Sequence, residues 1–188
     1  MPFVHIDGFG NFIVREVRML IFTNVFANIV KFGNMQLRTY KISDCSALYE
    51  LFLDTVHSVN SKDYSKVQLD AWAPLDSLTP REEILDIWNK AFLLHHTVVA
   101  VENDLIVGFG DISKYGYLDR LFVHKSYQRQ GIATAICNDL ENFVTGKNIS
   151  TQASITAKPF FLKRGYKLVN EQTVIRQGVL LKNYLMEK

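Results

Sequence analysis

Between Asp119 and Ala135 the chain reads DRLFVHKSYQRQGIATA: an apolar strand, a short loop, and a glycine-bearing start to a helix that continues through Ile136, Leu140, Phe143 and Val144. A strand that turns straight into a helix places the helix's unbonded N–H groups beside the end of a sheet, where the helix dipole is positive and anions bind. Without a Cβ, Gly131 lets the backbone come close to a phosphate, and Arg129 can add a charge-assisted bond. Taken alone, the hexapeptide 128–133 also fits an ordinary strand-loop-helix turn that happens to contain a glycine.

Composition bounds what this turn belongs to. A chain of 188 residues suits one domain with a substantial core. With 48% apolar and 21% charged residues it is neither disordered nor fibrous. A net charge of +2 gives no warrant for a nucleic acid or a membrane as partner. Cys45 and Cys137 fall in helical stretches without metal-ligand spacing, so a reduced cytoplasmic protein with no metal site is expected.

Residues 1–34 stand apart. Arg15 and Arg18 precede an apolar run over 19–30, broken by Thr23, Asn24 and Asn28. The run is shorter than the roughly 20 apolar residues of a membrane helix. Late basic residues and the lack of a small-residue cleavage site argue against a secretory signal. The segment is then an extra strand or helix laid on the domain, an interfacial or partner-binding piece, or translation from a start codon upstream of the real one. Met35, directly before the strand-like QLRTYKI of 36–42, favours the last.

From 36 onward the elements alternate legibly. Ser43 and Asp44 can cap a helix whose stripe is Leu48, Leu51, Phe52, Thr55 and Val56. A second helix is expected over 64–72, ending before Pro74. Thr79-Pro80-Arg81-Glu82 has the form of a capping box with proline at the first helical position, ahead of a stripe of Ile84, Ile87, Trp88, Ala91 and Phe92. Two β-rich runs, 97–102 and 105–112, meet at Asn103-Asp104 as a hairpin. Further strands are expected over 115–123, 151–155, 167–175 and 179–184, the last two turning at Gln177-Gly178, with a short helix over 158–164. Residues 35–188 thus form a single α+β domain with a mixed, mostly antiparallel central sheet and helices on both faces.

Gln128-x-x-Gly131-x-Ala133 after Leu121-Phe122-Val123 resembles the acyl-CoA-binding motif of the GNAT superfamily of acetyl-CoA-dependent N-acetyltransferases. The segment Ala157-Lys158-Pro159-Phe160-Phe161-Leu162-Lys163-Arg164-Gly165-Tyr166 is similar to that family's closing segment, a short helix, a glycine and an aromatic opening the next strand. The resemblance extends more weakly over 35–188 and includes 64–74. It implies acetyl-CoA as co-substrate, transfer to a primary amine of a small molecule or peptide, and a monomer or homodimer. It also implies a V-shaped notch in the sheet, where the main chain of Leu121, Phe122 and Val123 meets pantetheine. The N–H groups of Gln128, Arg129, Gln130, Gly131, Ile132 and Ala133 would hold the pyrophosphate. Ser154 stands where many members have an asparagine against the cofactor's arm, and Phe161 is placed to pack on the cofactor.

An alkylamine is mostly protonated at neutral pH, so a base must take its proton. Asp119 stands about where some members carry an acid, and period-two alternation puts Tyr117 and Leu121 on its side. The alternative is that Asp119 merely pairs with Arg120 or Lys114. His124 is the second candidate base, while His57, His95 and His96 read as structural. Trp72 and Tyr117 are candidate substrate contacts, with Asp63, Asp70 and Asp76 as acids that could draw a cationic amine. Many members place a tyrosine four residues before the closing glycine to protonate the departing thiolate. This chain has Phe161, leaving Tyr166, Tyr117 or water, or a module that binds acyl-CoA without turnover. A third possibility is a partner groove formed by Tyr64, Trp72, Trp88 and Phe92.

Overall fold

The computed structural model describes residues 35–188, so every expectation for 1–34 lies outside the described residues. A seven-stranded sheet runs through them in the order β1-β2-β3-β4-β5-β7-β6. The strands are β1 (Gln36–Thr39), β2 (His96–Glu102), β3 (Leu105–Ile112), β4 (Tyr117–Val123), β5 (Ser150–Ser154), β6 (Lys167–Arg176) and β7 (Val179–Glu187). Only the β4–β5 junction is parallel, because the chain returns to the sheet there through a helix rather than a hairpin. The hairpin at Asn103-Asp104 is as expected: both residues take positive φ, 49° and 63°, which suits the twist of the strands it joins.

The helices are α1 (Cys45–Val59), α2 (Lys66–Trp72), α3 (Arg81–Leu94), α4 (Ile132–Phe143) and α5 (Lys158–Lys163). Two cores result. On one face α1–α3 cover Val99, Phe109 and Leu181. On the other, α4 and α5 cover Val107, Leu118, Ala153 and Met186. The whole α1 stripe is buried. Each large apolar side chain contributes about 1.5–3 kcal/mol, which holds a helix that would be marginal alone. Tyr64 and Phe92 are buried and Trp72 and Trp88 half-buried against the same core, so these aromatics fill the interior instead of forming a partner groove.

Several boundaries differ from expectation. β1 ends at Thr39, and Ile42, placed in the strand by its pattern, opens a 3-10 turn and is 63% exposed. Asp44 does not cap α1 through its side chain; its carboxylate takes Arg38 at 2.6 and 2.9 Å and the Lys41 N–H at 2.8 Å. The second helix starts at Lys66, where Ser65 and Gln68 form the capping box. The expected box at Thr79 is absent: Pro80 stays extended as the N-cap, with no side-chain cap. Arg81 instead ties the start of α3 to Glu50 of α1 at 2.6 Å, a tertiary contact that outweighs the local motif. Ile87 faces solvent, with Leu85 packed in its stead.

Close packing positions α4. A Cβ on Gly108 would meet Ile132 and the Phe122 carbonyl at 3.0–3.1 Å, and one on Gly110 would meet Ile136 and the Arg120 carbonyl at 2.9–3.0 Å. These two glycines let α4 lie directly on β3, aiming its N-terminus at the carboxyl end of β4. Among the described residues no helix is long and apolar enough to cross a membrane.

Candidate functional site

β4 and β5 pair at only two positions, Tyr117 with Ser150 and Leu118 with Thr151. Beyond them β4 stays on β3 as far as Val123 and β5 stays on β7 as far as Ser154, so their facing edges part. The divergence begins at a bulge. Ile112 pairs with Leu118 and Asp111 with Arg120, which leaves Asp119 as the extra residue. A bulge bends its strand and resets which face each side chain takes. The expected sharing of a side by Asp119 and Leu121 is therefore overturned: Leu121 packs into the α4 core, whereas Asp119 turns to Arg120, which lies under α3.

The parted edges open a cleft of about 1140 Å³. On one side it is lined by Gln128, Arg129, Gly131, Ile132 and Ala133, with Ser154, Phe160 and Phe161 opposite. Arg129 and Gly131 both take left-handed backbone, φ 63° and 85°, and Gly131 is the N-cap of α4. Two left-handed residues around Gln130 turn the N–H groups before the helix in the manner of an anion-binding nest. The Gln128 amide folds back to donate to the Val123 carbonyl, which also accepts from Thr55 at 3.3 Å. Ser154 Oγ accepts from the Ala157 N–H at 3.1 Å, fixing the turn into α5.

The rest of the cleft is formed by Phe52, Tyr64, Trp72, Tyr117, Asp119, Phe122 and the β6–β7 pair. Leu121 and Val123 line it as well. Neither His124 nor Gln130 does. His124 caps the 3-10 turn 125–127, its Nδ1 accepting from the Ser126 N–H at 3.2 Å, and Gln130 reaches back to the Ser126 carbonyl at 3.3 Å. The three expected acids also lie outside it: Asp63 accepts from the Thr156 hydroxyl, Asp70 pairs with Lys66, and Asp76 is exposed.

Under the bulge lies a charge network that motif reasoning missed. Asp111 is fully buried and accepts from Arg120 at 3.0 Å and from His95 Nδ1 at 2.6 Å. The same Arg120 nitrogen lies 2.9 Å from Asp119, and its guanidinium stacks 4.9 Å over Trp88. Burial raises the Asp119 carboxyl above its ordinary value; Arg120 opposes this and Asp111 adds to it. The Asp111 hydrogen bond raises His95. His95, Asp111 and Asp119 could offer a metal three ligand atoms within 4.8 Å of one another, yet Arg120 already pairs with both carboxylates. The one available signal was the isolated Asp111 in the apolar run 105–112, since a buried carboxylate demands a cation.

Phe161 is 2% exposed and meets Tyr166 edge-on at 5.0 Å. The Tyr166 hydroxyl is committed to Glu141 at 3.0 Å, which raises it further above a phenol that burial already lifts. Tyr117 is half-buried on the cleft wall and likewise raised by burial.

Residues 61–188 match the family model described as an acetyltransferase (GNAT) domain. The chain is 33% identical over 154 residues to the uncharacterised N-acetyltransferase YafP of Escherichia coli K12, spanning 82% of this chain and 95% of that protein. Its fold matches the crystal structure of a GCN5-related N-acetyltransferase from Rhodopseudomonas palustris with TM-score 0.76 and 26% identity, over 84% of this chain and 96% of that one. It also matches the PaiA N-acetyltransferase of Thermoplasma acidophilum, solved with coenzyme A, with TM-score 0.62 and 18% identity over 82% and 98%. With the parted strands, the glycine loop and the closing helix all in place, the chain belongs to the GNAT acetyltransferase family.

Proposed function

We propose that this acetyltransferase moves the acetyl group of acetyl-CoA onto a primary amine by direct attack, with Asp119 as the base. The observation that carries the proposal is the joining, in one cleft, of an unpaired β4 edge, the left-handed pair Arg129 and Gly131 before α4, and a carboxylate. The cofactor fits these residues: an extended arm can pair with the free strand edge at Leu121 as an added strand, and a pyrophosphate suits the N–H groups of 129–133. When bound, acetyl-CoA supplies the activated acetyl group and a thiol leaving group. The PaiA structure with coenzyme A supports this assignment by fold.

The chain's own residues hold the acceptor and move its proton. Asp119, with a third of its side chain open to the cleft, accepts the ammonium proton, and Arg120 beside it steadies the charge. Tyr117 and Trp72 wall the acceptor. Phe161 has no proton to give and the Tyr166 hydroxyl is bonded to Glu141, which leaves Tyr117 or water as the proton source for the thiolate. Two buried free thiols support a cytoplasmic location.

Acetyl-CoA at about a hundredfold above its Kd is expected to stabilise the protein by roughly 2.7 kcal/mol, seen as a rise in Tm. Gly131→Glu should remove that rise, and mass spectrometry should find acetylated product from an amine panel. An undiminished thermal shift in a folded Gly131→Glu protein overturns the assignment.

A further inference from the structure

Resting on the amine-acceptor reading above, the charges of the cleft narrow the acceptor's class. Val174 packs with Trp72 and Leu181 in the core under α1–α3. Arg176 is two residues further along β6, so strand alternation gives it the same face, and it lines the cleft. It lies close enough to Asp119 and Tyr117 to shift both electrostatically. Of the other cations that line the cleft, Arg120 is engaged with Asp111 and Asp119 and Lys182 with Glu171 at 2.6 Å, Arg129 belongs to the loop before α4, and Lys62 and Lys163 add further positive charge. Among the described residues no carboxylate pairs with Arg176. Among the described residues Asp119 is the only acid lining the cleft, and it is already shared with Arg120. A second cationic group on the acceptor would meet this surplus of positive charge and no free acid.

We propose that the acceptor is an amine with an apolar body and a carboxylate, and that Arg176 receives the carboxylate while Asp119 faces the amine. The aromatic side chains that line the same cleft, Trp72, Tyr117 and Phe122, suit the apolar part. The guanidinium is built for such a group, since its planar donors match both carboxylate oxygens. Arg176 is exposed and directly precedes the Gln177-Gly178 turn, so solvent and a ligand can both reach it.

The test compares ω-amino acids of increasing length and 4-(aminomethyl)benzoate with their primary amides, which keep the amine and lose the charge. The wild-type protein should prefer the acids, and Arg176→Gln should shrink the acid-to-amide ratio of kcat/KM by about 10- to 100-fold, the worth of a hydrogen bond to a charged group. Arg176→Glu should turn the preference toward diamines. Calorimetric titration of the acids into the protein with CoA present reads binding apart from turnover. Equal kcat/KM for acids and amides, or an Arg176→Gln ratio like wild type, overturns the anion site and leaves acetyl transfer standing. Binding of the acids that needs Arg176 but gives no product supports the anion site and overturns acetyl transfer to them.

Discussion

Asp119 is the residue of β4 that β3 leaves unpaired, and its chemistry follows from that place. It has to be ionised to take a proton, and burial holds its pKa above the ordinary 3.8. Activity of the wild type is therefore expected to fall on the acid side at a higher pH than an exposed aspartate would give. Asp119→Asn should keep acetyl-CoA binding, lose this acid limb, and lower kcat by roughly 10²–10⁴-fold, with partial recovery at high pH as more amine arrives deprotonated. A pH–rate profile of both proteins checks this, and wild-type turnover in the variant excludes Asp119 as base. At this scale the glycine turn into α4 was legible in the sequence, because left-handed backbone beside a helix start suits a residue such as Gly131. Of the groups around Asp119, Arg120 was an expected alternative partner and Asp111 and His95 were not. Arg120 is its neighbour in sequence, but the bulge decides that the two turn to one side, and Asp111 and His95 reach them only through strand pairing and the end of α3.

Among the elements, α4 is the one whose placement sets the cleft. Its N-terminus can face the notch only because Gly108 and Gly110 let it down onto β3. Gly110→Ala adds a methyl 2.9 Å from Ile136 and 3.0 Å from the Arg120 carbonyl, so it is expected to cost about 1–3 kcal/mol by overpacking. Since backbone and helix both have to move, acetyl-CoA affinity should fall with stability. Denaturant unfolding and a binding titration of the same variant check the pair of effects. Turns with strict backbone demands could be read directly, as Asn103-Asp104 and Gln177-Gly178 show, each pair taking positive φ. Helix starts were less legible. The Thr79 motif has the right letters, yet the Arg81–Glu50 pair and the extended Pro80 move the start one residue on. Periodicity likewise assigned Ile87 to the core without knowing which side of α3 the sheet would cover.

For the whole molecule, the class and the hairpin pairings follow from alternation and connection lengths, whereas the placing of β7 between β5 and β6 was not legible and the place where the sheet opens depends on a bulge that alternation does not show. The seven strands and two cores described above all lie within residues 35–188, the described residues. We propose that this span alone melts cooperatively and binds acetyl-CoA; calorimetry of the truncated protein tests it, and a non-cooperative trace would place residues 1–34 in the core. Glu141 joins distant parts of the domain, with Arg164 at 2.5 Å, Lys188 at 2.7 Å and the Tyr166 hydroxyl at 3.0 Å. Burial pushes its pKa up, but the hydrogen bonds from Arg164 and Lys188 more than offset this and leave it below the ordinary 4.5. A depressed carboxyl adds stability above its unfolded value, lost as pH falls through the folded one. The Tm difference between wild type and Glu141→Gln should accordingly be full near neutral pH and shrink on acidification below about 4.5. The two paired positions between β4 and β5 have a mechanical meaning too. Four strands hang on one side of that junction and three on the other, so under tension the sheet would tear along this seam first, and any ligand lying across both lips would act as a stitch holding it closed.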